Sequence, residues 1–316
     1  MKIGIIGASD IAFRRFLPAL EKCVCIKFAG VASRNISKRA NFLGFANGIV
    51  YDGYDALLND KSIDCVYVPL PPALHYEWVK KALEHGKHVM AEKPFTVSLA
   101  ETTELIEIAR ASKLALHENY MFRFHSQLDW IYAKLPELGE MRLIRLDFGF
   151  PFRGADDFRY DKVLGGGALM DCGGYPLKLA ALLLGNTAKI TEAALRYKSR
   201  FEVDIFGSAT LRNDDGMVAQ ISFGMDNSYR CSLDIWGSKG SLGTDRVFTA
   251  PANFEPKVVV KIGDRITEHI LPSDDCFRKS IMHFMNCIQN ISIREENYKE
   301  ILAQSEIVEQ FKEIAQ

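Results

Sequence analysis

The stretch Lys2-Ile3-Gly4-Ile5-Ile6-Gly7-Ala8-Ser9-Asp10-Ile11-Ala12 is a short apolar run that breaks at a glycine and passes through a polar turn. Ile11, Phe13, Phe16, Leu17 and Leu20 follow at helical spacing, so a helix is expected over 11–20 with Asp10 as its N-cap. A buried strand, a tight turn and a helix open a βα unit. Dinucleotide folds place G-x-G-x-x-G/A at that turn. Gly7 and Ala12 fit the first and third places, and Ser9 stands at the second. A glycine there lets the backbone approach a pyrophosphate; Ser9 adds a Cβ and also a hydroxyl able to bond a phosphate. Gly7, Ala8, Ser9, Asp10, Ile11 and Ala12 are therefore the expected cofactor turn. An acid near a pyrophosphate is electrostatically awkward, which favours capping for Asp10. Arg14 and Arg15 are either solvated charges or phosphate contacts, Arg14 to a cofactor and Arg15 to a substrate.

Outward from this turn the βα rhythm continues. Strands are expected over 26–32, 50–51, 63–68, 87–91 and 114–117, with helices over 37–45, 54–58, 75–84 and 99–111. Asn47-Gly48 and Gly86 act as breakers. Repeated βα units predict a doubly wound parallel sheet, the α/β part of the fold, over residues 1–120. In such sheets ligands bind beyond the carboxyl ends of the strands. Strand two ends at Val31-Ala32-Ser33-Arg34, with no acid to hold a ribose 2′-hydroxyl. Ser33 and Arg34, with Lys38 and Arg39 nearby, can instead bond a 2′-phosphate, which points to NADP. Tyr51, at strand three, is taken as a further cofactor contact. Pro69-Leu70-Pro71-Pro72 ends strand four; it is either a rigid loop or a wall for the cofactor through Leu70 and Pro72. His75 opens the next helix and either caps it or reaches the same crevice. Strand five is Lys87-His88-Val89-Met90-Ala91-Glu92-Lys93-Pro94, whose proline forces a turn and leaves Glu92 and Lys93 at the ligand edge.

Past Glu118-Asn119-Tyr120 the rhythm stops. A helix over 127–135 precedes strands over 142–150, 190–197, 203–211, 217–223, 230–236, 257–262 and 265–271, and two closing helices cover 276–290 and 295–315. Strands in succession predict a mostly antiparallel sheet, an α+β domain over 121–316. Between the first two strands lies Gly165-Gly166-Gly167-Ala168-Leu169-Met170-Asp171-Cys172-Gly173-Gly174-Tyr175-Pro176. Asp171 and Tyr175 would share a face of a helix, but Gly173, Gly174 and Pro176 argue for a bent backbone.

Gly7-x-x-x-x-Ala12, Glu92-Lys93-Pro94 and the run from Gly165 to Tyr175 together resemble the Gfo/Idh/MocA oxidoreductases, over essentially the whole chain. The run Ala8 to Arg15, the run Glu118 to His125, and Phe152-Arg153-Gly154 are most similar to the NDP-hexose 3-ketoreductases of that family. The resemblance implies a Rossmann domain followed by an open sheet domain that carries the substrate site and builds a homo-oligomer. It implies NADPH-dependent reduction of a sugar ketone, at C3 of a nucleotide-linked deoxyhexose. Lys93 would stabilise the developing alkoxide, with Lys93 or Tyr175 giving the proton and Asp171 orienting Lys93 or a sugar hydroxyl. Lys93 and Tyr175 are also the expected substrate contacts, Glu92 lies at the cofactor edge, and Arg153 is a partner for cofactor or substrate phosphates. The rival readings are an NADP-dependent dehydrogenase of a free sugar or trans-dihydrodiol, and a catalytically silent NADP-binding regulator.

Bulk properties narrow the rest. A formal net charge of −1 offers no field for nucleic acid or membrane. Seven scattered cysteines without C-x-x-C argue for free thiols in a reducing compartment and against a metal site. Met1 runs straight into a strand, with no signal peptide, and the longest apolar run, 179–184, is too short to span a bilayer. A cytoplasmic protein is expected.

Overall fold

A computed structural model describes all residues except 34–41, 43, 46–48 and 316. Most of the helix expected over 37–45 lies outside the described residues. Tertiary contacts gather residues 1–121 with 277–305 into one compact unit, and residues 122–276 with 306–316 into a second.

The first unit holds a six-stranded parallel sheet in the order β3-β2-β1-β4-β5-β6. These strands are β1 (Lys2–Ile6), β2 (Lys27–Ala32), β3 (Ile49–Tyr51), β4 (Cys65–Val68), β5 (His88–Ala91) and β6 (Leu116–Glu118). The order reverses between β1 and β4, the switch point of a doubly wound sheet. Every residue of β4 and the last three of β5 are fully buried, as expected of strands covered on both faces. Phe16 stacks on Tyr67 with ring centroids 3.9 Å apart, and both rings are inaccessible to solvent. Burying one such side chain is worth about 1.5–3 kcal/mol. Helices over Tyr54–Asn59, His75–Glu84 and Leu99–Ser112 connect the strands, the last capped by the Ser98 hydroxyl at the Glu101 amide.

The second unit holds an eight-stranded sheet in the order β14-β13-β12-β11-β7-β10-β9-β8. Its strands are β7 (Met141–Gly149), β8 (Lys189–Tyr197), β9 (Asp204–Arg212), β10 (Val218–Gly224), β11 (Arg230–Gly237), β12 (Gly240–Asp245), β13 (Lys257–Ile262) and β14 (Arg265–Ile270). All neighbours are antiparallel except β7 and β10, which run parallel with Leu146 opposite Ile221. One face is apolar, with Ile144, Leu146, Ile221, Phe223, Leu233 and Ile235 nearly or fully buried. The helix Gly174–Leu184 packs there on β7 and β10. β12 has no counterpart in the sequence reading, because Gly240, Ser241 and Gly243 hide its alternation. A Cβ on Gly240 would sit 2.3 Å from the Lys261 carbonyl oxygen, so glycine permits that close strand pairing.

Candidate active site

Gly7 ends β1 with φ +111°, a conformation costly for any residue with a Cβ. A Cβ there would also fall 2.6 Å from Leu70 Cδ2. The Gly7 amide donates to Ala32 O at 2.8 Å, tying the turn to the end of β2. The cap of the following helix is Ser9 and not Asp10. The Ser9 hydroxyl accepts from the Ala12 amide at 3.3 Å, and the Phe13 amide donates to Ser9 O at 3.2 Å. Asp10 is exposed and faces Arg14 at 3.7 Å, a solvated pair of small energetic worth. From Asp10 and Ile11 the helix passes into a π-helical turn over Ala12–Phe16 and continues over Leu17–Leu20. Ala8 and Ala12 are buried, Ile11 is half-buried and Arg15 is exposed.

Ser33 is buried just beyond β2, while Arg34, Lys38 and Arg39 lie outside the described residues. The Tyr51 hydroxyl donates to Asp60 Oδ2 at 2.6 Å. Burial and this carboxylate push the phenol up to about 12, and the same bond lowers Asp60 to about 2. His75 is wholly buried, with Nδ1 2.8 Å from Pro94 O and Nε2 2.8 Å from Leu70 O. Burial pushes its pKa down, against two carbonyls that favour the charged ring. His75 thus ties the loops after β4 and β5 together from inside. Pro72, also buried, starts the short turn Pro72–Leu74 above it.

Lys93 lies two residues beyond the end of β5, and its peptide bond to Pro94 is cis. Beside it, Glu92 Oε1 accepts from the Tyr67 hydroxyl at 2.5 Å and from Asn119 Nδ2 at 2.6 Å. Burial pushes the Glu92 carboxyl up, while these two bonds and the charge of Lys93 act the other way. Glu118 accepts from the Phe95 amide at 2.9 Å, fixing the chain just past Pro94. The first unit therefore brings Gly7, Leu70, His75, Glu92 and Lys93 to one edge of its sheet.

In the second unit the glycine run is a cradle. Gly165 and Gly167 have φ +77° and +120°. The Gly166 and Gly167 amides donate to Asp161 O and Arg159 O, both at 2.9 Å. A Cβ on Gly167 would lie 2.4 Å from Asp204 Oδ1, and Asp204 Oδ2 accepts from the Leu169 amide at 2.7 Å. Asp171 meets the guanidinium of Arg159 at 2.9 Å, and Asp157 holds the same guanidinium at 3.0 Å. The backbone expected to bend at Gly173 and Gly174 stays helical, passing from a π-helical turn over Leu169–Gly173 into Gly174–Leu184. Gly173 lets the helix sit on Phe223, whose ring would lie 2.9 Å from a Cβ there. Tyr175 is nearly buried among Phe148, Phe122 and Phe248, with ring centroids 5.0, 5.8 and 5.9 Å away. The Arg153 guanidinium lies 4.8 Å over the Phe150 ring. Asp204 escaped the sequence reading because its partner, the Leu169 amide, is distant in the chain; Arg159 was missed although Asp157 and Asp171 lie close to it in sequence. The run Asp156-Asp157-Phe158-Arg159, acids beside a base ahead of three glycines, was the available signal.

The residues fit a dinucleotide. The turn Gly7–Ala12 offers small side chains at the switch point of the sheet, where the backbone can approach a pyrophosphate. Residues 1–120 match the family described as "Oxidoreductase family, NAD-binding Rossmann fold", and residues 136–243 match its C-terminal domain. This chain belongs to the Gfo/Idh/MocA oxidoreductases. Within that family it is 38% identical over 311 residues to a dTDP-3,4-didehydro-2,6-dideoxy-alpha-D-glucose 3-reductase of Actinomadura kijaniata, covering 98% of this chain and 94% of the relative. A reductase of the same name from Streptomyces violaceoruber is 41% identical over 293 residues, covering 92% and 85%. Among solved structures, a 3-ketoreductase from Actinomadura kijaniata in complex with NADP and TDP-benzene superposes with a TM-score of 0.95 at 37% identity, covering 100% of this chain and 98% of that one. The oxidoreductase fold expected from the sequence, a parallel Rossmann sheet followed by a mostly antiparallel one, is the fold observed. No described helix is long and apolar enough to cross a membrane.

Proposed function

We propose that this oxidoreductase uses NADPH to reduce the 3-keto group of a nucleotide-linked deoxyhexose. The observation that carries the reading is the near-complete coverage of two relatives named for that reaction, at 38% and 41% identity. NADPH, when bound, supplies the hydride that adds to the carbonyl carbon. Lys93 holds a positive charge at the oxygen, and Lys93 or Tyr175 gives that oxygen a proton. Asp171, already paired with Arg159, acts by holding its loop or a sugar hydroxyl. Gly7 to Ala12, Arg14, Ser33, Arg34, Tyr51, Leu70, Pro72 and His75 build or back the cofactor site. Arg15 and Arg153 serve phosphates.

The test is product analysis. With NADPH and a dTDP-linked 3-keto-deoxyhexose, the expected product is the 3-hydroxy sugar with one NADPH oxidised per turnover. Turnover of a free sugar or trans-dihydrodiol alone would overturn the reading. Absence of turnover on all three would favour a cofactor-binding regulator.

The seven free cysteines, most of them buried, suit a reducing cytoplasm. The second sheet presents exposed Trp236, Ile266 and Ile270 on its outer face, which we assign to a second copy of this chain. Sedimentation velocity should give an oligomer that Trp236→Glu dissociates, and a monomeric wild type at micromolar concentration would sink the assignment.

A further inference from the structure

Glu92 lies at the head of a buried chain of polar groups that no step above uses. Asn119, Ser280, His117 and Asn297 are all buried, and all belong to the first unit. Ser280 sits on the helix Cys276–Gln289 and Asn297 on the helix Ile291–Ile314.

The directions of the bonds are constrained. Asn119 Nδ2 donates to Glu92 Oε1, which leaves Asn119 Oδ1 to accept from the Ser280 hydroxyl at 2.8 Å. Ser280 has then spent its only proton, so its oxygen accepts from His117 Nε2 at 2.8 Å. At the far end Asn297 Nδ2 donates to Leu116 O at 2.6 Å. Asn297 Oδ1 therefore faces His117 Nδ1 at 3.3 Å and His283 Nε2 at 3.2 Å, and it only accepts. His117 is asked for a hydrogen on both nitrogens.

The reversed chain has the same proton count. With a proton on Glu92, its hydroxyl donates to Asn119 Oδ1 and the turned amide donates to Ser280. Ser280 then donates to a bare His117 Nε2. A carboxylate facing an imidazolium, and a carboxylic acid facing a neutral ring, are the two self-consistent states. Burial alone pushes Glu92 towards the acid form. Around the pair lie Lys93 and the Tyr67 phenol beside Glu92, Glu118 next to Asn119, and His283, whose ring centroid lies 5.4 Å from that of His117.

We propose that His117 is a positioning residue: it holds Glu92 ionised beside Lys93, acting through Ser280 and Asn119. The benefit to turnover rests on Lys93 being the chemical centre, but the link between Glu92 and His117 can be read without turnover.

The experiment uses the full chain with its histidines labelled with 15N, seven in all. His117→Gln assigns the His117 signal. In wild type at neutral pH His117 should give the signature of a doubly protonated ring, and in Glu92→Gln that of a neutral ring. Ser280→Ala cuts the chain, and the His117 signal should then no longer respond to Glu92→Gln. A neutral His117 in folded wild type, or a His117 signal identical in wild type and Glu92→Gln, would overturn the proposal. Kinetics give a second readout should His117→Gln not fold. Ser280→Ala should lower kcat about ten-fold with little change in the KM for NADPH, as a displaced active-site group does. It should also move the acid limb of the kcat profile up by roughly one pH unit, the change expected when an ionised carboxylate loses a nearby opposite charge. An acid limb that stays in place would overturn it too.

Discussion

Each of the two units holds its own group of candidate residues, and by different means. At the edge of the parallel sheet, the chain leaves each strand and turns at once. Candidate side chains stand on those turns and are held by short polar bonds: His75 to Leu70 and Pro94, Glu92 to Tyr67 and Asn119. In the second unit the corresponding segment is a glycine loop entering a helix. It is held by close backbone approach at Gly166, Gly167 and Gly173, by a carboxylate under the loop, and by aromatic packing around Tyr175. The first design fixes direction, since hydrogen bonds are directional. The second fixes distance, since a missing Cβ sets how near two segments come.

Substitutions test these two modes of construction at three levels. The largest effect is expected at the turn after β5. Lys93→Met should lower kcat about 10³-fold, the scale of losing a charge and a proton donor at one oxygen. Fluorescence titration should give an unchanged Kd for NADPH, and near-full turnover would end the assignment of Lys93.

The next effect belongs to the glycine loop. Burial raises Asp204 to about 6, well above an ordinary carboxyl, although the Leu169 amide bonds it. The native state therefore binds the proton more tightly than the unfolded chain. The stability this contributes is full below pH 4 and is lost as pH rises through 6. Over the whole titration, from well below pH 4 to well above pH 6, the loss should be roughly 3 kcal/mol from this group, with about two thirds of it between those two values. Urea unfolding at pH 4 and pH 6.5 should show that difference shrinking in Asp204→Asn, and an Asn variant with the wild-type pH dependence would rule it out.

The smallest effect is at the first turn. Gly7→Ala places a side chain at φ +111° and against Leu70. It should cost about 2 kcal/mol of stability, the scale of one strained backbone position, with weaker NADPH binding alongside. Denaturant midpoints together with cofactor titration check both.

What could be read from the sequence follows the same division. The parallel, doubly wound sheet of the first unit was legible because βα alternation is a local signal, and strand–helix connections leave few topologies. The edge placement of Glu92 and Lys93 followed from one proline. The partners were not legible: Tyr67 and Asn119 reach Glu92, and Ser280 reaches Asn119, only after distant segments meet. Ser9 carries the helix cap that Asp10 seemed to own, because Ser9 and Asp10 both have capping chemistry and only geometry separates them. In the second unit, β12 was hidden by its glycines, and the helical path through Gly173 and Gly174 was hidden by their intrinsic preference. A tertiary contact with Phe223 overrides that preference.

The first unit is completed by residues 277–305, which lie far along the chain from residues 1–121. A ribosome makes the Rossmann strands early and these helices much later. Until residue 305 has emerged, Asn119 and His117 lack the Ser280 and Asn297 groups that satisfy them. The cofactor half of the enzyme is thus begun first and finished after most of the second unit has been synthesised, so a nascent chain meets its own middle before its beginning is whole.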